Sequence, residues 1–230
     1  MVVGSDAVLH TARGSLAVQF VFTGVTAGAL FLTVPDEYEI LRSIAILETV
    51  SQIIEFVWYA LVVFRFRDIK TWTRYLDWYI STPTMLISTV AFFIMIRQQR
   101  EDASADRYGR LSDVVSQSNL GWTVAILVIN QAMLTCGLLV ERSILNPTVG
   151  LPAGFMLFIA EFFIIFGVYA IYARLLGLAL FMFVFIVWGF YGIAATFPND
   201  PKNVAYNILD ILSKNFYGAF IFAYALSVRE

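Results

Sequence analysis

Apolar residues in this chain neither alternate nor form one-sided stripes. They run on in seven stretches, at about residues 14–34, 43–64, 78–96, 119–140, 152–174, 177–197 and 205–227. Each is close to the roughly 20 residues that a helix needs to cross the hydrocarbon core of a bilayer. A backbone in lipid must satisfy its own N–H and C=O groups, and a helix does so within one segment. The pattern therefore predicts an all-α bundle of seven transmembrane helices. The spans take up most of residues 1–230, which read as a single seven-helix domain. The first ten residues, MVVGSDAVLH, lack the basic region of a cleaved signal peptide, so the first span is expected to be retained. One long connection, IRQQREDASADRYGRLSDVVSQSN, is mixed in charge, lacks apolar periodicity and reads as solvated. Between spans five and six only ARLLG, with Arg174 and Gly177, breaks the apolar run, so a tight turn is expected there.

Composition sharpens this into a membrane protein. Sixty percent of residues are hydrophobic and 14% charged, against about 25% charged in soluble domains. A net charge of −2 without a basic stripe gives no footprint for nucleic acid. The single histidine, His10, and single cysteine, Cys136, argue against a His/Cys metal site and against disulfides. Nothing points to an enzyme. Arg65, Arg67 and Lys70 read as interfacial snorkelling residues, and loop charges do not orient the chain.

Polar residues inside the spans change the picture most. An ionisable group at mid-bilayer costs roughly 2.5–3.5 kcal/mol on insertion scales, so it calls for a partner or a use. The last span, AYNILDILSKNFYGAFIFAYAL, holds Asp210 and Lys214. Four residues apart, they lie about 6 Å apart along a helix on nearly one face. That geometry serves a passive buried ion pair or a charged lysine derivative with its counter-ion. Span one carries Ser15, Gln19, Thr23 and Thr26 on one face, which reads as ordinary interhelical hydrogen bonding. Span two carries Glu48, Gln52 and Glu55 on one stripe, whose carboxylates either line a hydrated pathway or stay protonated in a structural role. Arg74 opens RYLDWYISTPTMLIS, with Asp77 three residues on, Trp78 beside it, and Pro83 freeing a carbonyl one turn earlier. Span four has Asn130 and Gln131, span five has Glu161, and span six sets Trp188 and Tyr191 three apart.

RYLDWYISTP resembles the third-helix signature of the microbial rhodopsins, WGFY resembles their sixth-helix Trp and Tyr, and DILSK resembles their seventh-helix Asp-x-x-x-Lys. The resemblance covers all seven spans. It implies all-trans retinal as a protonated Schiff base on Lys214, with Asp77 and Asp210 as counter-ions and Arg74 beneath them. It implies a retinal pocket of Trp78, Thr82, Met133, Trp188 and Tyr191. It also implies an extracellular amino terminus, a cytoplasmic carboxyl terminus and a homo-oligomer in the lipid bilayer. Ser88 stands where proton pumps carry their cytoplasmic proton donor, and a serine holds no transferable proton at ordinary pH. Gly192 stands where many relatives have proline, which puts the usual kink in question.

Ser15, Glu48 and Asn215 resemble the central gate of channelrhodopsins, and Glu55 resembles a second pathway glutamate. Thr82 and Asn130 occupy the places of an interhelical pair that controls closing. With Ser88, this set is similar to the first group of viral rhodopsins, which are light-gated cation channels. The resemblance thus implies a light-gated channel for monovalent cations or protons. A light-driven outward proton pump is the alternative, and a photosensor acting through a partner is a third reading.

Overall fold

The computed structural model describes residues 6–65, 70–99, 111 and 120–229. Arg67 and most of the long connection after the third span lie outside the described residues. Six helices are α1 (Asp6–Gly28), α2 (Ile40–Phe64), α3 (Arg74–Gln98), α4 (Leu120–Glu141), α5 (Pro147–Val168) and α6 (Arg174–Ala194). Each, by length and composition, suffices to cross a membrane. The seventh, α7, is built of a helix Asn199–Asp210, a π turn Ile211–Asn215 and a helix Phe216–Ser227. All seven expected spans are present, and they begin or end up to several residues from the apolar limits because polar first turns also join the helices.

Local chemistry explains most of the punctuation. Asn146 caps α5, its side chain accepting from the Thr148 N–H at 3.0 Å, and Pro147 supplies a preset first residue. The turn between α5 and α6 is as tight as expected: one 3₁₀ turn, Ala170–Tyr172, and then Arg174 in the left-handed region at φ 56°. Pro83 lies inside α3, and the Tyr79 carbonyl it deprives of a donor accepts instead from Gln131 Nε2 of α4 at 3.2 Å. Gln131 thus repairs a neighbouring helix. α6 continues through Gly192 without a break, and the glycine has a packing reason: a Cβ there would lie 2.6 Å from the Phe155 ring.

The two sides of the bundle differ in chemistry. Around α5 and α6 the filling is aromatic. Phe185 stacks on Phe158 (5.4 Å, 13°) and on Phe181 (6.0 Å, 6°), and Phe162 meets Trp188 edge-on at 5.9 Å. Between α1, α2, α3 and α7 a run of buried polar side chains interrupts the apolar packing: Ser15, Gln19, Thr26, Glu48, Ser51, Gln52, Glu55, Asp77, Ser81, Asn207, Asp210 and Asn215. Gly218 of α7 belongs to this side. A Cβ on it would collide with Gln52 and Thr26, so glycine lets α7 approach α1 and α2.

Candidate functional site

α3 and α7 bring Asp77 and Lys214 together at the centre of the bundle. Lys214 Nζ donates to Asp77 Oδ2 at 2.5 Å, with both side chains almost wholly buried. A second carboxylate, Glu55 of α2, lies 3.9 Å from the same nitrogen, and neither of its oxygens has a hydrogen-bond partner. Glu55, expected as a pathway residue, therefore also faces the lysine.

Asp210, expected as the other counter-ion, makes its direct contacts elsewhere. Its Oδ2 accepts from Tyr59 at 2.7 Å and from Arg74 at 3.2 Å, and its Oδ1 accepts from Tyr191 at 2.7 Å. The reason is the turn of α7. Asp210 closes the regular helix and faces the Arg74 end, whereas the π turn carries Lys214 towards α3. Arg74 pairs with Asp210 rather than with Asp77. The widened turn also leaves the Lys214 carbonyl to accept from Gln52 Nε2 at 3.2 Å, and the same amide reaches Thr26 Oγ1 at 3.1 Å.

Lys214 stands in the wall of an apolar cavity also lined by Trp78, Thr82, Met133, Trp188 and Tyr191, all five residues expected of a pocket. Met85, Phe155 and Phe158 widen this lining beyond the sequence reading. Ser213 is fixed by Tyr191 at 2.8 Å beside the lysine. Thr82 donates to the Trp78 carbonyl at 2.8 Å and contacts Asn130 Oδ1 at 2.7 Å, so the expected interhelical pair is in hydrogen-bond contact. Behind it, Glu161 of α5 is buried, with Asn130 near enough to interact but neither carboxylate oxygen closing a conventional hydrogen bond.

The gate residues are arranged differently from the expectation. Glu48 accepts a short hydrogen bond from Ser88, and Tyr217 of α7 joins them at 3.4 Å from Ser88 and 3.3 Å from Thr89. Ser15 instead accepts from Gln19 at 3.0 Å. The cause is register. Thr26, about three turns along α1 from Ser15, is the residue level with Gln52, and Glu48 lies one turn further on. Asn215 is buried, and both its amide atoms lack a partner. Ser15, Glu48 and Asn215 are thus not hydrogen-bonded to one another.

Tyr59, Asn203 and Asn207, which hold Arg74, were missed by the sequence reading. Their signal is periodic: Tyr59 lies four residues beyond Glu55, and Asn203, Asn207 and Asp210 mark one face of α7.

A membrane bundle of seven helices, with a buried lysine and carboxylates against an aromatic-walled cavity, defines the microbial rhodopsin fold. A model of the bacteriorhodopsin-like protein family matches residues 11–228, and the chain belongs to that family. Among solved structures, viral rhodopsin OLPVRII is similar over 98% of this chain and 100% of its own, with 23% identity and a TM-score of 0.79. The light-driven proton pump of Coccomyxa subellipsoidea is similar over 95% and 97%, with 18% identity and a TM-score of 0.74. Halorhodopsin, a light-driven chloride pump, is similar over 97% of each chain, with 13% identity and a TM-score of 0.71. No curated protein matches the sequence. The family implies a retinal chromophore, and the cavity suits one: its walls are apolar and aromatic, and a lysine with two carboxylates lies at its polar edge.

Proposed function

We propose that the protein is a light-gated cation channel whose retinal is held as a protonated Schiff base by Lys214. When bound, the retinal supplies light absorption and a light-driven change of shape. Asp77 and Glu55, with Asp210 acting from beyond direct contact, would balance the charge on the lysine nitrogen, Trp78 and Trp188 would wall the polyene, and Thr82 and Met133 would bound its course. Ions would be monovalent cations or protons, crossing a homo-oligomer in the bilayer with the amino terminus outside.

One observation carries the channel reading. Buried polar atoms without a protein partner are strung along the seam of α1, α2, α3 and α7: Gln19 Oε1, Thr23 Oγ1, Glu48 Oε2, Ser51 Oγ, Gln52 Oε1, both Glu55 oxygens and both amide atoms of Asn215. A buried polar atom left unpaired costs about 1–3 kcal/mol, so a run of them suits a path that takes up water and cations. Glu48, Ser88 and Tyr217 would close its inner end, binding α2 to α3 and α7. Asn215 is free to take up a new partner when Lys214 moves.

A second reading, an outward proton pump, has its own support. Glu48 reaches across to Ser88, so an acid from α2 stands beside the donor position that α3 leaves without one. Lys214 and Asp77 are already at proton-transfer distance.

Light-evoked current recorded over a range of voltages separates the two. A channel gives current that reverses near the cation equilibrium potential. Outward current at every voltage would overturn the channel reading in favour of the pump.

A further inference from the structure

From its first residue to Asp210, α7 presents an amide on successive turns of one face: Asn199, Asn203 and Asn207. The Asn203 and Asn207 nitrogens face other groups. Asn203 Nδ2 donates to Thr71 Oγ1 and to the Asn199 carbonyl, both at 2.9 Å. Asn207 Nδ2 donates to Thr11 Oγ1 at 2.7 Å and to the Val8 carbonyl at 3.1 Å, tying α7 to α1. Asn199 Oδ1 accepts from Thr71 Oγ1 at 2.8 Å, whereas the Asn203 and Asn207 oxygens are aimed at one cation, Asn207 Oδ1 also accepting from Tyr59 at 3.1 Å. Asn203 Oδ1 accepts from Arg74 Nε at 3.1 Å, the Asn203 carbonyl accepts from the guanidinium at 3.4 Å, and Asn207 Oδ1 accepts a short bond from it. The Trp58 ring lies 4.8 Å from the guanidinium carbon. Among the described residues, Asp210 is the one carboxylate in ion-pair contact with Arg74.

A cation held by several neutral oxygens and one anion is held less tightly than one in a carboxylate cage. Amide and carbonyl oxygens can also replace the water shell of a passing ion. We propose that the Asn203 and Asn207 oxygens, with Asp210, form a cation-binding site of the outer passage. The Arg74 guanidinium fills it in the dark, and a permeating cation takes it over when that side chain withdraws. The permeation half of this proposal rests on the channel reading; the site itself does not.

The test uses the retinal-loaded Arg74→Ala protein, titrated with guanidinium chloride against tetramethylammonium chloride at matched ionic strength. Free guanidinium should move the visible absorption band saturably back towards that of the unaltered protein, and adding Asn207→Leu should abolish the effect. A shift that tetramethylammonium reproduces, or that survives Asn207→Leu, would overturn the site. If Arg74→Ala does not form pigment, Asn207→Leu in the otherwise unaltered chain keeps the proposal testable. It should change the sodium-to-proton permeability ratio severalfold, and an unchanged ratio counts against the proposal. Lack of any light-evoked current in the unaltered protein overturns the channel reading, an outcome distinct from lost guanidinium binding.

Discussion

The seam between α1, α2, α3 and α7 and the wall formed by α5 and α6 are built from opposite materials inside one bundle. The wall is aromatic, with Phe158, Phe162, Phe181, Phe185 and Trp188 in mutual ring contact. The seam carries Arg74, Lys214, Asp77, Asp210, Glu48 and Glu55, all buried. Without a hydrophobic force between helices in lipid, the wall is held by dispersion and shape, which reward one arrangement. The seam is held by hydrogen bonds, which tolerate exchange of one partner for another or for water. The division assigns constancy to the wall and change to the seam.

The largest effect expected is that of Lys214→Ala. It should abolish the visible band when retinal is added, read by absorption spectroscopy; a coloured variant would remove the lysine from its place at the head of the seam. Next is Phe162→Ala. Truncating a buried aromatic that touches four other rings should cost about 3 kcal/mol of stability, read by denaturation of the purified pigment. Gln52→Leu should cost less, about 1–2 kcal/mol, since it strips a hydrogen bond from Thr26 and from the Lys214 carbonyl where water can substitute. The contrast between wall and seam fails if Gln52→Leu proves the more destabilising of the two. The smallest effect is expected from Arg174→Gly. Relief of the left-handed backbone at φ 56° outweighs the added chain entropy by about 0.5 kcal/mol, seen as a slight rise in melting temperature.

The wall and the spans were legible in the sequence because long apolar runs in a chain with 14% charged residues admit few structures. The pocket was legible too: Trp78, Thr82, Met133, Trp188 and Tyr191 all line the cavity. Partner choice within the seam was not. Spacing placed Glu55, Asp77 and Asp210 on inward faces but did not say which meets Lys214, because that depends on helix rotation and on a π turn that no proline or glycine announces. The register of α1 was equally hidden. Its polar residues, Ser15, Gln19, Thr23 and Thr26, recur at helical spacing without a charged anchor, so sliding α1 by a turn leaves the pattern unchanged. Glu48 paired with Ser88, a contact that only the approach of α2 to α3 creates.

The π turn at Ile211–Asn215 has a mechanical meaning as well. It stores one residue more than an α turn would hold, and that surplus can be passed along the helix without breaking the backbone ladder at more than one step. Each step turns the one residue that the surplus passes by about 100°, the angle between neighbours in a helix, and leaves the phase of the segments on either side unchanged. A push at Lys214 that moved the surplus two residues on would swing Phe216 and then Tyr217 to a new face, and so act on the Glu48 end, while the rest of α7 kept its orientation.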